Sequence, residues 1–214
     1  MKNIIGIIVA YVYVFAIILS AKLIEKKGAE VSRKYIHIML ANIWIIIMIF
    51  FDNVYLLSIV PFSFVILNYI SYKKNLIKVM ERDTNSKDGF GTVYYALSIL
   101  IICIISYGIL KKPIIGLPGM LIMGYGDGFA ALIGKSVKSK SYKVGDSSKT
   151  LAGSATMLII SFIIFAIFFY GINLWWIKAL IASILITIIE AISIKGLDNI
   201  TVPIISTLIV ILTV

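Results

Sequence analysis

The chain has 214 residues, of which 61% are hydrophobic and only 14% are charged, and its formal net charge is +10 at pH 7. Its mean hydropathy of +1.06 lies well outside the range of soluble proteins. This composition excludes a soluble globular domain and predicts an all-α, polytopic integral membrane protein. The single cysteine, Cys103, cannot form an internal disulfide, so a disulfide scaffold is excluded as well.

Seven apolar runs approach the length needed to cross a hydrocarbon core, which is about 20 residues. They lie near residues 3–21, 36–51, 53–72, 91–110, 113–133, 151–170 and 174–194. A shorter run at 200–214 is an eighth span or a half-span, so the sequence predicts 7-8 transmembrane helices. There is no internal repeat and no polar region large enough for a soluble domain. We therefore predict a single transmembrane domain over residues 1–214.

The distribution of the 20 basic residues predicts the orientation. Sixteen lie in three long polar loops and at Lys195, whereas Lys2, Lys111, Lys112 and Lys178 lie on the other side. Lysine and arginine are enriched in cytoplasmic loops, so the sixteen are predicted to be cytoplasmic and the N-terminus to lie outside. The basic flank of the first run follows its apolar residues, which favours a retained span over a cleaved signal peptide.

The net charge is explained first by membrane insertion and by attraction to anionic headgroups. The same field would concentrate an anionic small molecule, such as a nucleotide, at the cytoplasmic face. We expect no nucleic-acid partner.

The segment "SRKYIHIML", residues 32–40, places a basic pair at the start of the second span. Arg33 and His37 are four residues apart and therefore share a helix face. Two interpretations stay open. The segment is either a basic anchor followed by a core histidine, or an arginine that grips phosphate oxygens beside a histidine that moves a proton.

The segment "ERDTNSKDGFGTVYYALS", residues 81–98, is a charged loop that runs through two glycines into the fourth span. Thr92 is placed to cap or begin a helix whose free backbone N–H groups favour an anion. Tyr94 and Tyr95 are expected at a membrane interface in any case.

The segment "GYGDGFAALIGK", residues 124–135, places Asp127 in an apolar stretch. An ionisable group at membrane depth costs at least ~2.5 kcal/mol and usually marks a function. Gly126 and Gly128 flank it, so Asp127 sits where a helix can break and backbone can approach a ligand. A carboxylate in this position can hold Mg²⁺ together with substrate phosphates. Gly124 and Gly128 also form a GxxxG pattern, which predicts close helix packing and a possible homodimer.

The segment "YKVGDSSKTLAGSATM", residues 142–157, is a polar loop entering the sixth span. Ser147 or Ser148 is predicted to cap that helix, with Lys149 and Thr150 in its first turn. The positive end of a helix dipole repels a lysine, and a bound phosphate would remove that mismatch.

The segment "IIEAISIKGLDNITVP", residues 188–203, holds a second intramembrane acid, Glu190. Asp198 and Asn199 follow Gly196 in a predicted tight turn, for which asparagine and aspartate are usual. All five segments lie at the predicted cytoplasmic ends of the spans. Two embedded acids, several cations and helix ends that open to the bilayer suit phosphoryl transfer to a lipid.

Five motifs resemble, in order, those of the CTP-dependent lipid kinases, the family of dolichol kinase, phytol kinase and the CTP-using diacylglycerol kinase. They are "RKYIH", "GTVYY", "GYGDGFAALIGK", "KTLAGS" and "EAISIKGLDNITVP", and they span residues 33–203. The resemblance implies an integral membrane kinase that moves the γ-phosphate of CTP to a lipid hydroxyl with Mg²⁺. The distribution of basic residues predicts that its active site is on the cytoplasmic face. We expect the lipid to be an isoprenoid alcohol such as a polyprenol, dolichol, phytol or geranylgeraniol.

The resemblance also implies roles for particular residues. Asp127 is similar to a metal ligand or catalytic carboxylate of the family, and Lys149 to a phosphate-binding lysine. The expected catalytic residues are Asp127, Glu190 and His37, with Asp127 ahead of Glu190 as the base. The expected metal ligands are Asp127, Asp198 and Glu190. The expected nucleotide- or phosphate-binding residues are Arg33, Lys34, Thr92, Gly126, Gly128, Lys135, Lys149, Thr150, Gly153, Ser154 and Asn199.

The chain departs from the family pattern in one motif. Relatives commonly read "KSLEGS" where this chain reads "KTLAGS", so Ala152 replaces a glutamate. If that glutamate helps to hold the metal, another acid must replace it here. The loop at 135–146 is also unusually rich in lysine and serine.

Two other functions are compatible with parts of this pattern. A CTP:phosphatidate cytidylyltransferase would need the same face, metal and cations, although the motifs favour the kinase. An ion-coupled transporter would use Asp127 and Glu190 as an ion path, but such paths usually lie at the bilayer midplane.

Overall fold

The computed structural model describes residues 1–74, 90–145 and 147–214. Residues 75–89, which include the basic residues Lys78, Arg82 and Lys87 and the first half of the segment 81–98, lie outside these ranges. The described ranges form ten α-helices and one two-stranded hairpin. The helices are α1 (Lys2–Ile24), α2 (Ala29–Ala41), α3 (Ile43–Phe50), α4 (Val54–Lys74), α5 (Gly91–Cys103), α6 (Gly116–Leu121), α7 (Gly128–Ser136), α8 (Leu151–Phe169), α9 (Trp175–Ile192) and α10 (Asp198–Thr213), and the strands are β1 (Ser141–Val144) and β2 (Ser147–Thr150).

Several helices join end to end into longer rods. α2 and α3 form one rod, α5 extends through a π-helical segment to Ile109, and α6 and α7 join through another. Within the described residues, seven rods are long and apolar enough to cross a membrane: Lys2–Lys27, Ala29–Phe50, Val54–Lys74, Gly91–Ile109, Pro113–Ser136, Leu151–Phe169 and Trp175–Ile192. The all-α, polytopic membrane fold predicted from composition is thus confirmed. α10, the predicted eighth segment, is shorter than the seven.

In the first helix, small residues are enriched on the buried face and large aliphatic residues lie on the outside. Ala10 and Ala21 are buried there, while Ile8 and Leu19 are exposed. Lipid tails are as apolar as leucine, so burial of apolar surface does not drive helix association, and small residues instead let the helices approach closely. The exposed aliphatic surface is therefore the expected lipid contact.

The rod that carries Asp127 does not break at its glycines. Between α6 and α7, residues Ile122–Asp127 form a π-helical segment, and the rod continues from Pro113 to Ser136. The glycines on either side of Asp127 allow a helix break, but the helix does not break there. One extra residue in the turn widens the helix without exposing its backbone groups to lipid, and such π-bulges are frequent at functional sites.

The GxxxG pattern packs within the chain. A Cβ added at Gly124 would overlap Ala41, and one added at Gly128 would overlap Ile38, both in α2. These glycines therefore let the Asp127 rod contact its own neighbour, and the face that suggested a homodimer is already covered. The homodimer stays a prediction without this support.

Replacing Gly124 with alanine should lower the free energy of unfolding by about 1–3 kcal/mol, because the added methyl group overpacks the contact with Ala41. The matched control is Gly108→Ala, whose added Cβ would lie 3.5 Å from Cγ2 of Val54, an ordinary contact distance. Thermal unfolding in one detergent compares the two variants. A melting temperature of G124A equal to that of wild type would contradict this packing assignment.

The start of α8 differs from the sequence prediction. Ser147–Thr150 form β2, which pairs antiparallel with β1 so that Ser141 lies opposite Thr150 and Val144 opposite Ser147. The cap of α8 is Thr150, whose side chain accepts a hydrogen bond from the Gly153 backbone N–H at 3.1 Å. The predictions of a serine cap and of Lys149 and Thr150 in the first helical turn were therefore wrong.

The hairpin has a simple local cause. Gly145, with a φ of +58°, provides the left-handed backbone conformation that a tight turn between two strands requires. The two strands satisfy each other's backbone groups, so the segment extends away from α8 and does not begin it early. As a result, Lys149 projects from a strand and does not face a helix dipole.

The polar ends of the helices meet at one end of the bundle. This end is formed by the N-terminal ends of α2, α5, α8 and α10, the C-terminal ends of α4, α7 and α9, and the hairpin. The N-terminus of the chain lies at the opposite end, where Asn3 donates a hydrogen bond to Asp52 at 2.6 Å. The polar end therefore brings charged side chains from many helices together, as a functional site requires.

Candidate active site

A cavity of about 260 Å³ opens at the polar end of the bundle. The predicted site residues line it, apart from two glycines: Arg33, Lys34, His37, Thr92, Asp127, Lys135, Lys149, Thr150, Gly153, Ser154, Glu190, Asp198 and Asn199. Residues more than 150 positions apart in the chain thus face one space.

Asp127 lies at the centre of a buried, charged cluster. Its Oδ2 is 2.5 Å from Nζ of Lys34 and 3.1 Å from Nε2 of His37. The three residues are between 4% and 8% exposed, so this ion pair is shielded from water. A charge buried this deeply is tolerated only with a partner of opposite sign, so Lys34 and Asp127 each require the other.

The partners of the basic residues in α2 differ from those expected. Lys34 and His37, three residues apart, point together at Asp127. Arg33 instead pairs with Glu30 at 2.5 Å, while its Nε has no hydrogen-bond partner. Arg33 therefore lines the cavity as part of an ion pair with Glu30.

A second ion pair lies beside the first. Nζ of Lys149, extended from β2, is 2.5 Å from Oε1 of Glu190 and also donates to the Glu190 backbone carbonyl. Glu190 is 6% exposed and lies in the last turn of α9, where the carbonyl groups have no helical partners. The hairpin is what brings this lysine to the acid.

Three carboxylates converge between these ion pairs. Each of Asp127, Glu190 and Asp198 contributes one oxygen, and the three oxygens lie within 4.8 Å of one another. Asn199, 6% exposed, adds a carboxamide oxygen, Oδ1, that has no hydrogen-bond partner. An oxygen-only donor set of this kind suits Mg²⁺, which binds carboxylates together with substrate phosphates. The residues present therefore fit the metal that the resemblance implies.

Two glycines bring the start of α5 against the turn before α10. A Cβ at Gly196, which has a φ of +77°, would lie 3.0 Å from the Cα of Gly91, and a Cβ at Gly91 would lie 3.0 Å from Nδ2 of Asn199. A side chain at Gly196 would crowd the backbone of Gly91, and the positive φ of Gly196 would strain any other residue. Thr92, the second residue of α5, lines the same cavity as Asn199. The N-cap of α5 is Phe90, so Thr92 begins the helix without capping it.

Gly126 and Gly128, the two predicted site residues that do not line the cavity, pack against neighbouring helices. A Cβ at Gly126 would lie 2.6 Å from Sδ of Met157, and Gly128 faces Ile38. Their small size serves helix packing and leaves Asp127 alone to face the cavity.

The sequence analysis missed Glu30. Its carboxylate contacts Arg33 at 2.5 Å and Lys135 at 3.5 Å, so it joins the N-terminal end of α2 to the C-terminal end of α7 at the cavity rim. The spacing of Glu30 and Arg33, three residues apart on a helix, was a usable signal for the first contact. The contact with Lys135 could not be predicted from local spacing, because the two residues lie on different helices that are distant in the sequence.

The other part of the cavity is apolar. Its lining includes Val14 of α1, Ile47 of α3, Val60 and Phe64 of α4, and Ile99 of α5. One cavity thus has a charged end, where the acids and cations meet, and a hydrocarbon-lined arm that continues among the helices. The fold and this cavity define the chain as an integral membrane protein whose charged site adjoins an apolar space.

Two curated proteins match the chain over most of its length. "Phytol kinase" from Synechocystis sp. is 29% identical over 207 residues, covering 94% of this chain and 88% of that protein. "Probable phytol kinase, chloroplastic" from Zea mays is 27% identical, covering 90% of this chain and 68% of that protein. No protein-family model and no solved structure matches the chain. The chain is a homologue of proteins named phytol kinase, which confirms the resemblance found in its motifs.

Proposed function

We propose that this chain is a CTP-dependent lipid kinase that uses Mg²⁺ to transfer the γ-phosphate of CTP to the hydroxyl group of a membrane isoprenoid alcohol. The observation that carries the proposal is the cavity, which joins a charged end suited to a metal-bound triphosphate with an apolar arm suited to a lipid. The relatives named phytol kinase support the lipid alcohol as acceptor.

In the proposed site, Asp127, Glu190 and Asp198 hold Mg²⁺, and Asn199 adds an uncharged oxygen. When bound, Mg²⁺ neutralises charge on the phosphates and so favours their transfer. Lys34 and Lys149 are each held by one of these acids in the structure. With these acids bound to a metal, Lys34 and Lys149 would be free to bind the phosphate oxygens.

The transfer itself needs an acceptor for one proton. The alcohol oxygen forms a bond to the γ-phosphorus, the bond between that phosphorus and the bridging oxygen of the β-phosphate breaks, and CDP leaves. We assign the alcohol proton to Asp127, because its carboxylate faces the cavity and is oriented there by Nε2 of His37, which lies 3.1 Å from Oδ2. Glu190 is the second choice as base.

The charged end of the cavity is proposed to face the cytoplasm. It lies at the end of the bundle opposite the N-terminus, and the described basic loops are on the same side. The positive-inside bias places such loops in the cytoplasm. The donor nucleotide would then reach the cavity from water while the acceptor arrives from the bilayer.

A two-label assay tests the proposal on the purified protein in mixed micelles. CTP is labelled at either the α- or the γ-phosphate and is offered with Mg²⁺ and phytol, geranylgeraniol, a polyprenol, diacylglycerol or phosphatidic acid. We expect γ-label, and no α-label, on an isoprenoid alcohol, and no transfer after chelation of the metal. The measurement is the label in the extracted lipid.

Other outcomes would assign the alternatives. The α-label on phosphatidic acid would identify a cytidylyltransferase and contradict the kinase. Proton flux coupled to a substrate, without turnover of CTP, would favour a transporter. The position of Asp127 and Glu190 at one end of the bundle argues against that last function, because transport sites typically lie near the midplane.

A further inference from the structure

We infer that the apolar arm of the cavity holds the first part of the acceptor's hydrocarbon chain, and that the chain enters it from the bilayer between α1 and α4, beside Phe64. The inference rests on the proposed function and adds to it the place and path of the lipid chain. Its occupant is a single flexible isoprenoid chain whose hydroxyl group reaches the charged end.

The same change from polar to apolar occurs along three separate rods. In the rod of α2 and α3, Lys34 and His37 line the charged end, and Ile47 lines the arm. In α5 the lining changes from Thr92 to Ile99. In α4, which runs in the opposite direction, it changes from Asn68 to Val60. Three independent helices thus define one axis, with water-soluble chemistry at one end and hydrocarbon at the other.

The arm is deep enough for part of an isoprenoid chain. From His37 to Ile47 is ten residues, or about 15 Å along a helix at about 1.5 Å per residue. That distance is roughly half of a hydrocarbon core of about 30 Å. The arm therefore ends near the middle of the membrane, where the remainder of a long chain can continue among the lipid tails.

The wall between α1 and α4 is the proposed entrance. The half-buried ring of Phe64 lines the cavity, and its centroid is 5.5 Å from the ring of Tyr11 and 6.5 Å from that of Phe15. Phe15 is 52% exposed on the outer surface of the bundle. Tyr11 and Phe15 also line a second, shallow apolar groove on the outside of α1. One layer of aromatic rings therefore separates this lipid-facing groove from the arm.

Filling the arm should change the preference for chain length. Val60 is 4% exposed and lines the arm, whereas its neighbour Ile59 is 47% exposed and faces outward. Val60→Phe should lower kcat/KM for phytol by about tenfold, the effect of excluding roughly two methylene groups, and should change it little for the shorter alcohol geraniol. Ile59→Phe, the matched control, should leave both values unchanged.

Photolabelling gives a second readout that does not depend on a variant. A phytol analogue with a diazirine along its chain is activated on the wild-type protein, and the labelled peptides are identified by mass spectrometry. We expect label on Ile47, Val60 or Ile99, competed by phytol. Label restricted to outward residues such as Ile59 or Phe62 would overturn the inference.

The outcomes also separate the inference from the proposed function. If the wild-type protein phosphorylates no alcohol, the proposed function fails and the inference fails with it. If the wild-type protein phosphorylates phytol, equal losses for geraniol and phytol in V60F, together with no label on the arm, overturn the inference alone.

Discussion

Asp127→Asn should lower phosphate transfer by about 10²–10⁴-fold, the range over which general acid–base catalysis contributes. The variant removes the proposed base and one of the three carboxylates that face the cavity, while its side chain keeps nearly the same shape. The measurement is kcat for transfer of γ-label from CTP to phytol at saturating Mg²⁺. The matched control is Asp52→Asn, because Asp52 lies at the opposite end of the bundle. D127N with wild-type activity would disprove the assignment of Asp127.

The same variant should also be less stable, and this effect can be separated from catalysis. Without its acid, Lys34 would be a buried charge with no carboxylate partner, at a cost of about 3–5 kcal/mol. The double variant K34M/D127N removes both charges and should regain most of the lost melting temperature while staying inactive. If the double variant regained activity, the loss in D127N would have been one of folding only.

Lys149→Gln should raise KM for CTP and lower kcat/KM for CTP by about 10- to 100-fold. This range corresponds to the loss of one hydrogen bond to a charged group, about 1.5–3 kcal/mol. The donor is specifically affected because Lys149 lies beside the carboxylate cluster, away from the apolar arm. KM for phytol should change little, and steady-state kinetics with each substrate varied in turn measures both.

The control for Lys149 lies on the same hairpin. Lys143 on β1 is exposed and pairs across the hairpin with Ser148, so Lys143→Gln removes the same charge from the same element without entering the site. Lys149→Arg should retain part of the donor binding, because the positive charge is kept. Equal effects of K143Q and K149Q on KM for CTP would show that only the general charge of the loop matters.

The membrane helices were predictable from sequence because their signal is local. A run of apolar residues with the length of a bilayer allows few structures other than a spanning helix, since every backbone polar group must be satisfied within the run. The candidate residues were predictable for a related reason. A carboxylate such as Asp127 or Glu190 is easily recognised inside such an apolar run. The other candidate residues were identified from the five motifs and their order along the chain.

The pairing of those residues was not predictable, because it depends on contacts distant in sequence. Lys34 and Asp127 are 93 positions apart, and Lys149 and Glu190 are 41 apart. Local spacing favoured Arg33 with His37, but the rotation of α2 turns Lys34 to the acid instead. The hairpin at Lys149 was also missed, since serine and threonine suit a helix cap as well as a strand, and only the pairing of β1 with β2 decides between them.

The π-helical segment at Ile122–Asp127 determines how the part of the helix after it is rotated about the helix axis relative to the part before it. A helix turns by about 100° per residue, so one extra residue rotates everything beyond it by that angle relative to a regular helix. The first half packs against α10, with Gly119 beside Pro203, while the second half packs against α2, with Gly128 beside Ile38. Each half is thus oriented by a different neighbour, and Asp127 lies at their junction. The direction of the carboxylate therefore depends on both helix interfaces. Deleting a single residue from this turn would rotate the carboxylate away from the cavity, even if every surrounding side chain were kept.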